Sequence, residues 1–177
     1  MSFANRAAGA KPAGGGNNIT DGRGVLVVKD VFLIKGNDDP ETFIAELYVK
    51  ESTPMRADVT PNPAGSTVSF VKKCTSAKQK GNLERAMAFL DAVVGPDFAA
   101  LPEDKRAATI GEILRLDQTG YTKQGTQCPL KGFEVSFETY RKFTKDGKTE
   151  MTLPKFNHRE VNKEQIQANR ALVDGKA

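Results

Sequence analysis

A mainly β domain with a helical insert is the fold class this sequence predicts, and three observations predict it. Apolar and polar residues alternate with period two over residues 42–50 and again over 133–142. A long β-branched run, Val25 to Ile34, precedes them. Between the two β-rich parts, Leu83, Ala86, Met87, Leu90, Val93 and Val94 recur at helical spacing.

Residues 1–23 are built from Gly, Ala, Asn and Pro around Gly14-Gly15-Gly16. Such a composition buries almost nothing, so a flexible arm is expected there, with order beginning at Gly24. The run Val25–Ile34 is the first strand, ended by the turn Gly36-Asn37-Asp38-Asp39-Pro40. In the second strand Phe43, Ala45, Leu47 and Val49 share one face, and Ile44, Glu46, Tyr48 and Lys50 the other. Pro54, Pro61 and Pro63 make residues 51–64 a loop, after which a third strand runs from about 66 to 74. A basic turn, Ala77 to Gly81, leads to Asn82, placed to cap the helix that Gly95-Pro96 stops. A second helix is predicted from Pro102 to about Asp117, with Glu103 and Asp104 in its first turn. Its buried side is expected to be Ala107, Ile110, Ile113 and Leu114.

The β pattern then returns. Phe133, Val135 and Phe137 alternate with Glu134, Ser136 and Glu138, and Tyr140 and Lys142 continue the polar side. Asp146-Gly147 is a hairpin signal of the type I′ kind. Residues 150–158 form the returning strand, where Pro154 suggests an edge or a bulge. Asn162 and Gln165 have capping-box spacing at the start of a weakly apolar helix to Val173. Three strands, a helical insert and a hairpin make up the element order of a five-stranded OB-like barrel, with one or two helices between strands three and four. The domain is expected over residues 24–158, with a short C-terminal helix and tail over 159–177.

Four stretches carry a family resemblance: Asn62-Pro63-Ala64-Gly65 through Phe70, Lys80-Gly81-Asn82-Leu83-Glu84-Arg85, Leu130-Lys131-Gly132-Phe133, and Thr144-Lys145-Asp146-Gly147-Lys148. Over roughly residues 24–158 the chain resembles bacteriophage-encoded OB-fold proteins of the single-stranded-DNA-binding type. The resemblance implies a role in replication or recombination, in the host cytoplasm, with single-stranded DNA and replication or recombination proteins as partners. Bacterial single-strand-binding proteins carry an acidic C-terminal tip. This chain ends Val173-Asp174-Gly175-Lys176-Ala177, so that docking device is not carried over.

Composition narrows the classes. The chain of 177 residues, 38% hydrophobic and 27% charged, fits one soluble domain with tails. No apolar run approaches the ~18–20 residues of a membrane span, and the N-terminus has no apolar stretch of a secretory signal. A net charge of +4 is compatible with nucleic acid and argues against DNA mimicry. Cys74 and Cys128 lie far apart and in no CxxC pair, and are read as free thiols in a reducing compartment. Gly147-Lys148-Thr149 lacks the P-loop glycine, since Lys142 stands in its place. His158 is the single histidine and cannot build a zinc site by itself. Asp38-Asp39 lacks the ligand spacing of a calcium loop. With no nucleophile–base arrangement, the reading expects no enzyme, no cofactor, no metal and no membrane.

Single-stranded DNA needs cations along its phosphates and flat side chains for its bases. Tyr48 beside Lys50, and Tyr140 beside Arg141 and Lys142, offer both on polar strand faces. Two basic clusters accompany them: Lys72, Lys73, Lys78 and Lys80, and Arg141, Lys142, Lys145 and Lys148 around the hairpin, with Lys155 on the returning strand. Phe70, Phe133 and Phe137 are expected in the core. The expectation is that these groups line one shared groove on the open face of the barrel. The alternative is a virion assembly protein, a cement or tail component that uses its N-terminal arm, and a homo-oligomer stays open under either reading.

Overall fold

The computed structural model describes residues 18–37, 40–75 and 81–176. Five strands form one antiparallel sheet in the order β3-β2-β1-β4-β5. They are β1 (Arg23–Ile34), β2 (Thr42–Thr53), β3 (Thr67–Lys73), β4 (Glu134–Phe143) and β5 (Glu150–His158). Between β3 and β4 come α1 (Asn82–Val94), the short α2 (Pro96–Ala99) and α3 (Glu103–Ile113), and α4 (Lys163–Val173) follows β5. The mainly β class, the helical insert and the C-terminal helix are as the periodicities predict. The turn residues Asp38 and Asp39 lie outside the described residues, as do residues 1–17.

The sheet is not closed into a barrel, which corrects the OB-like expectation. β1 is the central strand, paired with β2 from Arg23↔Thr53 to Ile34↔Thr42 and with β4 only from Arg23↔Glu138 to Val27↔Glu134. β3 and β5 are its edges. A flat sheet of five strands would hold its edges about 19 Å apart. Here Phe70 of β3 and Phe156 of β5 meet edge to face with centroids 5.0 Å apart. The sheet therefore coils until its edges touch through side chains, with no hydrogen-bonded ladder across the seam. Two irregularities in the β1–β2 register, at Val25/Leu26 and Val28/Asp30, supply local bending. Phe89 of α1 plugs the seam, 5.5 Å from Phe70, 5.0 Å from Phe156 and 6.0 Å from Phe43.

Residues 18–22 explain part of the open seam. Asn18 bridges to Ser69 on the outer edge of β3, the edge that barrel closure would use. Ile19 is buried in the core, and the Thr20 amide donates to Asn62 Oδ1 at 2.7 Å. The Gly22 amide then donates to Thr139 Oγ1 on β4 at 2.8 Å. This segment is a packed strap from β3 to β4, so the expected arm does not extend to residue 23.

The core lies on one sheet face. Leu26, Val28, Phe43, Leu47, Val49, Val68 and Val135 pack against Ala86, Phe89, Leu90 and Val93 of α1. The predicted helical stripe is rotated slightly: Phe89, absent from it, is fully buried, whereas Leu83 is 53% exposed. Asn82 is the first helical residue and not the cap, a position taken by Gly81 at φ 88°. The buried Asn82 amide instead donates to the Lys73 carbonyl at 3.2 Å, tying α1 to β3. α3 ends earlier than predicted, and Ala107 is exposed. Just beyond it Arg115 takes φ 52° and donates to Asp30 Oδ1 (2.9 Å) and the Val31 carbonyl (2.7 Å), which anchors the chain to β1. The capping box of Asn162 and Gln165 forms as predicted. Both cysteines are free.

Candidate nucleic-acid interface

β4 outruns its ladder with β1, so its far half pairs with β5 alone. Thr139 is still held by the strap, its amide donating to the Gly22 carbonyl at 3.0 Å, and from Tyr140↔Leu153 to Phe143↔Glu150 the two strands run on as a ribbon. At its tip the Gly147 amide donates to the Thr144 carbonyl, and the Thr144 amide to the Thr149 carbonyl, each at 2.8 Å. Only Gly147 has positive φ, 68°, so the turn is wider than the two-residue type I′ form expected. The Asp146 carboxylate accepts from the Thr144 hydroxyl and the Lys148 amide, and these bonds hold its carboxyl below the usual range.

Alternation along the ribbon puts Tyr140, Lys142, Met151 and Leu153 on one face and Arg141, Phe143, Glu150 and Thr152 on the other. Phe143 is 62% exposed, Tyr140 46% and Met151 40%. Lys142, Lys145 and Lys148 are exposed, and their ammonium groups make no ion pair among the described residues. Arg141 is committed to the base of the ribbon: it lies 2.9 Å from Glu150 and 3.5 Å from Asp21, whose carboxylate also binds Arg56 at 2.7 Å. Lys155 lies 3.8 Å from Glu138 on the neighbouring strand.

Lys50 is not available to a phosphate. Its Nζ lies 2.5 Å from Glu134 Oε1 and 3.2 Å from Asn169 Oδ1. Arg159 Nε donates to the other Glu134 oxygen at 3.1 Å, and Asn169 donates to Oε1 at 3.0 Å and to the Gly132 carbonyl at 2.9 Å. Glu134 is on the non-core sheet face, as alternation requires, but α4 covers it and leaves it 2% exposed. Burial pushes its carboxyl up, and the bonds from Lys50, Asn169 and Arg159 outweigh that and hold it below the usual range.

Tyr48 opposes Val27 on β1, which opposes Glu134 on β4, so Tyr48 and Tyr140 do share the non-core face. They do not form one platform. Six residues of β4, about 20 Å, separate the row of Glu134 from Tyr140, and the Lys50–Glu134–Arg159 network lies between. Lys72 and Lys73 pair with Phe43 and Thr42 beside the β1–β2 turn, at the end of the sheet opposite the ribbon. Lys72 is on the core face, with its Nζ 4.8 Å from the Phe70 ring centre. Burial first, and Arg85 second, lower its pKa. Lys78 and Lys80 lie outside the described residues. Phe70 and Phe137 are core residues as expected, and Phe133 packs partly buried against the core.

The structure thus keeps the hairpin half of the expected site and separates it from the rest. Phe143 and Met151 belong to the exposed ribbon and escaped the sequence reading. The signal for Phe143 was its place three residues before Asp146-Gly147, where a strand next to a hairpin turn leaves its sheet. Nothing local marked Glu134 as a buried hub, because Lys50 and Asn169 are distant in sequence. Among the described residues no cluster of His, Cys, Asp and Glu is arranged to hold a metal ion, and no helix is long and apolar enough to cross a membrane. Comparison with protein families, with curated proteins and with solved structures finds no match to this chain.

Proposed function

We propose that the protein binds single-stranded DNA without strong sequence preference, with the β4–β5 ribbon as its grip. The observation that carries this reading is the presence on the ribbon of two exposed rings, Tyr140 on one face and Phe143 on the other, beside three exposed lysines, Lys142, Lys145 and Lys148, that make no ion pair among the described residues. Rings accept unpaired bases, each stack being worth roughly 1–3 kcal/mol, and the lysines accompany the phosphates. In this reading Arg141 shapes the ribbon, and Tyr48, Lys50, Lys72 and Lys73 take no direct part. The setting is phage replication or recombination in the host cytoplasm.

Three phosphate contacts on a single strand give a slope of log affinity against log salt of about −2. Fluorescence anisotropy with labelled oligo-dT at rising NaCl measures it. Phe143→Ala should weaken binding roughly 5- to 150-fold, the equivalent of one stack, with the fold intact. Absence of binding at micromolar protein in low salt sinks the proposal. The apolar side chains of Phe143 and Met151 also favour a second reading, an assembly module whose ribbon inserts into a protein neighbour. Indifference to DNA, together with co-migration with particles in size-exclusion chromatography, would select it.

A further inference from the structure

Phe143 and Leu83 are the two most exposed large apolar side chains among the described residues, at 62% and 53%. Phe143 belongs to the ribbon. Leu83 belongs to a groove of about 440 Å³ between α1 and α3, where Met87 and Ile110 complete an apolar floor. α1 gives Ala86, Phe89, Leu90 and Val93 to the core, so the groove lies on a different side of that helix. The charged groups of the groove are Glu84, Asp91, Glu103 and Arg106, a net charge of −2 in a chain whose net charge is +4. Arg106 holds Asp91 at 2.5 Å, which leaves Glu84 and Glu103 exposed and without an ion pair among the described residues.

We infer that this groove holds the β4–β5 ribbon of a second copy of the chain, with Phe143 on the floor beside Leu83. Charge and apolar content select this occupant. Over residues 140–153 the ribbon carries Arg141, Lys142, Lys145 and Lys148 against Asp146 and Glu150, a net charge of +2. Lys145 and Lys148 lie at the tip just beyond Phe143, placed to meet Glu84 and Glu103 when the ring is seated. Opposite charges around an apolar contact steer the encounter and fix the partner. The ribbon does not occupy the groove of its own chain, and none of its residues lines it. β5 meets α1 where Phe156 touches Phe89, and the Phe143↔Glu150 row lies six residues away along β5, about 20 Å. Ribbon and groove are different surfaces, so each copy offers one of each. Seating removes from water the two apolar side chains that a single molecule leaves most exposed. The inference rests on the exposure of the ribbon and not on strand binding, and it is tested without DNA.

Sedimentation velocity of the full chain over the micromolar range, free of nucleic acid, reads the contact. The sedimentation coefficient should rise with concentration. Leu83→Glu closes the groove and Phe143→Glu disables the ribbon, both at exposed sites that leave the core untouched. Each variant alone should sediment as a monomer at every concentration, with its far-ultraviolet circular dichroism unchanged. Mixed together, they should re-form a one-to-one complex and nothing larger, because the first keeps an intact ribbon and the second an intact groove. A wild-type chain that stays monomeric throughout gives the groove to another partner and overturns the inference. So does association of either variant alone to the wild-type extent, and so does a mixture of the two that remains monomeric.

Discussion

The aromatic seam between β3 and β5 makes a quantitative demand on stability. Phe89 is fully buried and meets three other rings at 5.0–6.0 Å. Removing a buried Phe side chain costs about 3–5 kcal/mol, and three lost ring pairs place Phe89→Ala at the upper end. For a chain of this size, about 5 kcal/mol corresponds to a fall in Tm of roughly 10–20 °C. A sharper test uses Phe70 and Phe156, which touch at 5.0 Å although their strands exchange no ladder. Urea unfolding of Phe70→Ala, Phe156→Ala and the double variant should give a coupling energy of about 0.5–1.5 kcal/mol. The single costs adding to within about 0.3 kcal/mol would mean the edges do not meet, and the coiled sheet described above would be wrong.

Other perturbations read the rest of the structure. Because Glu134 has a lowered carboxyl pKa, its contribution is fully present above the usual glutamate value of 4.5 and is lost as pH falls through the lowered value. Glu134→Gln should therefore cost about 2–3 kcal/mol near pH 7 and flatten the acid side of a plot of urea midpoint against pH. An unchanged acid limb would show that the network does not carry this linkage. At Gly24 an added Cβ would lie 1.9 Å from the Glu51 carbonyl oxygen. Gly24→Ala should cost more than about 4 kcal/mol, seen as loss of soluble protein or a collapsed thermal transition, while wild-type stability would contradict the β1–β2 register at that point. Replacing Lys142, Lys145 and Lys148 together with Gln should reduce the salt slope of oligo-dT binding by about 2, whereas Lys50→Gln should leave the slope unaltered and lower the urea midpoint.

What the sequence disclosed follows from the range of the forces involved. Alternation is a local signature of a strand with one buried face, so Phe43, Ala45, Leu47 and Val49 could be assigned to the core side correctly. The Asn162–Gln165 capping box is likewise contained within four residues. Closure of the sheet is different, since it depends on whether two edges far apart in sequence pair, and Asn18 and Ile19 at the edge of β3 enter that competition from an unexpected segment. The expected single groove was missed for the same reason. Lys50 reads as a solvated strand cation until Glu134, 84 residues later, and Asn169, 119 residues later, are brought against it. A cation already bound to a buried carboxylate would have to give up that pair before it could meet a phosphate, leaving Glu134 charged and short of partners under α4. Among the described residues the lysines of the ribbon have no such pair to break. That difference in cost, rather than the density of basic residues along the chain, is what separates Lys142, Lys145 and Lys148 from Lys50 as candidates to hold a nucleic-acid strand.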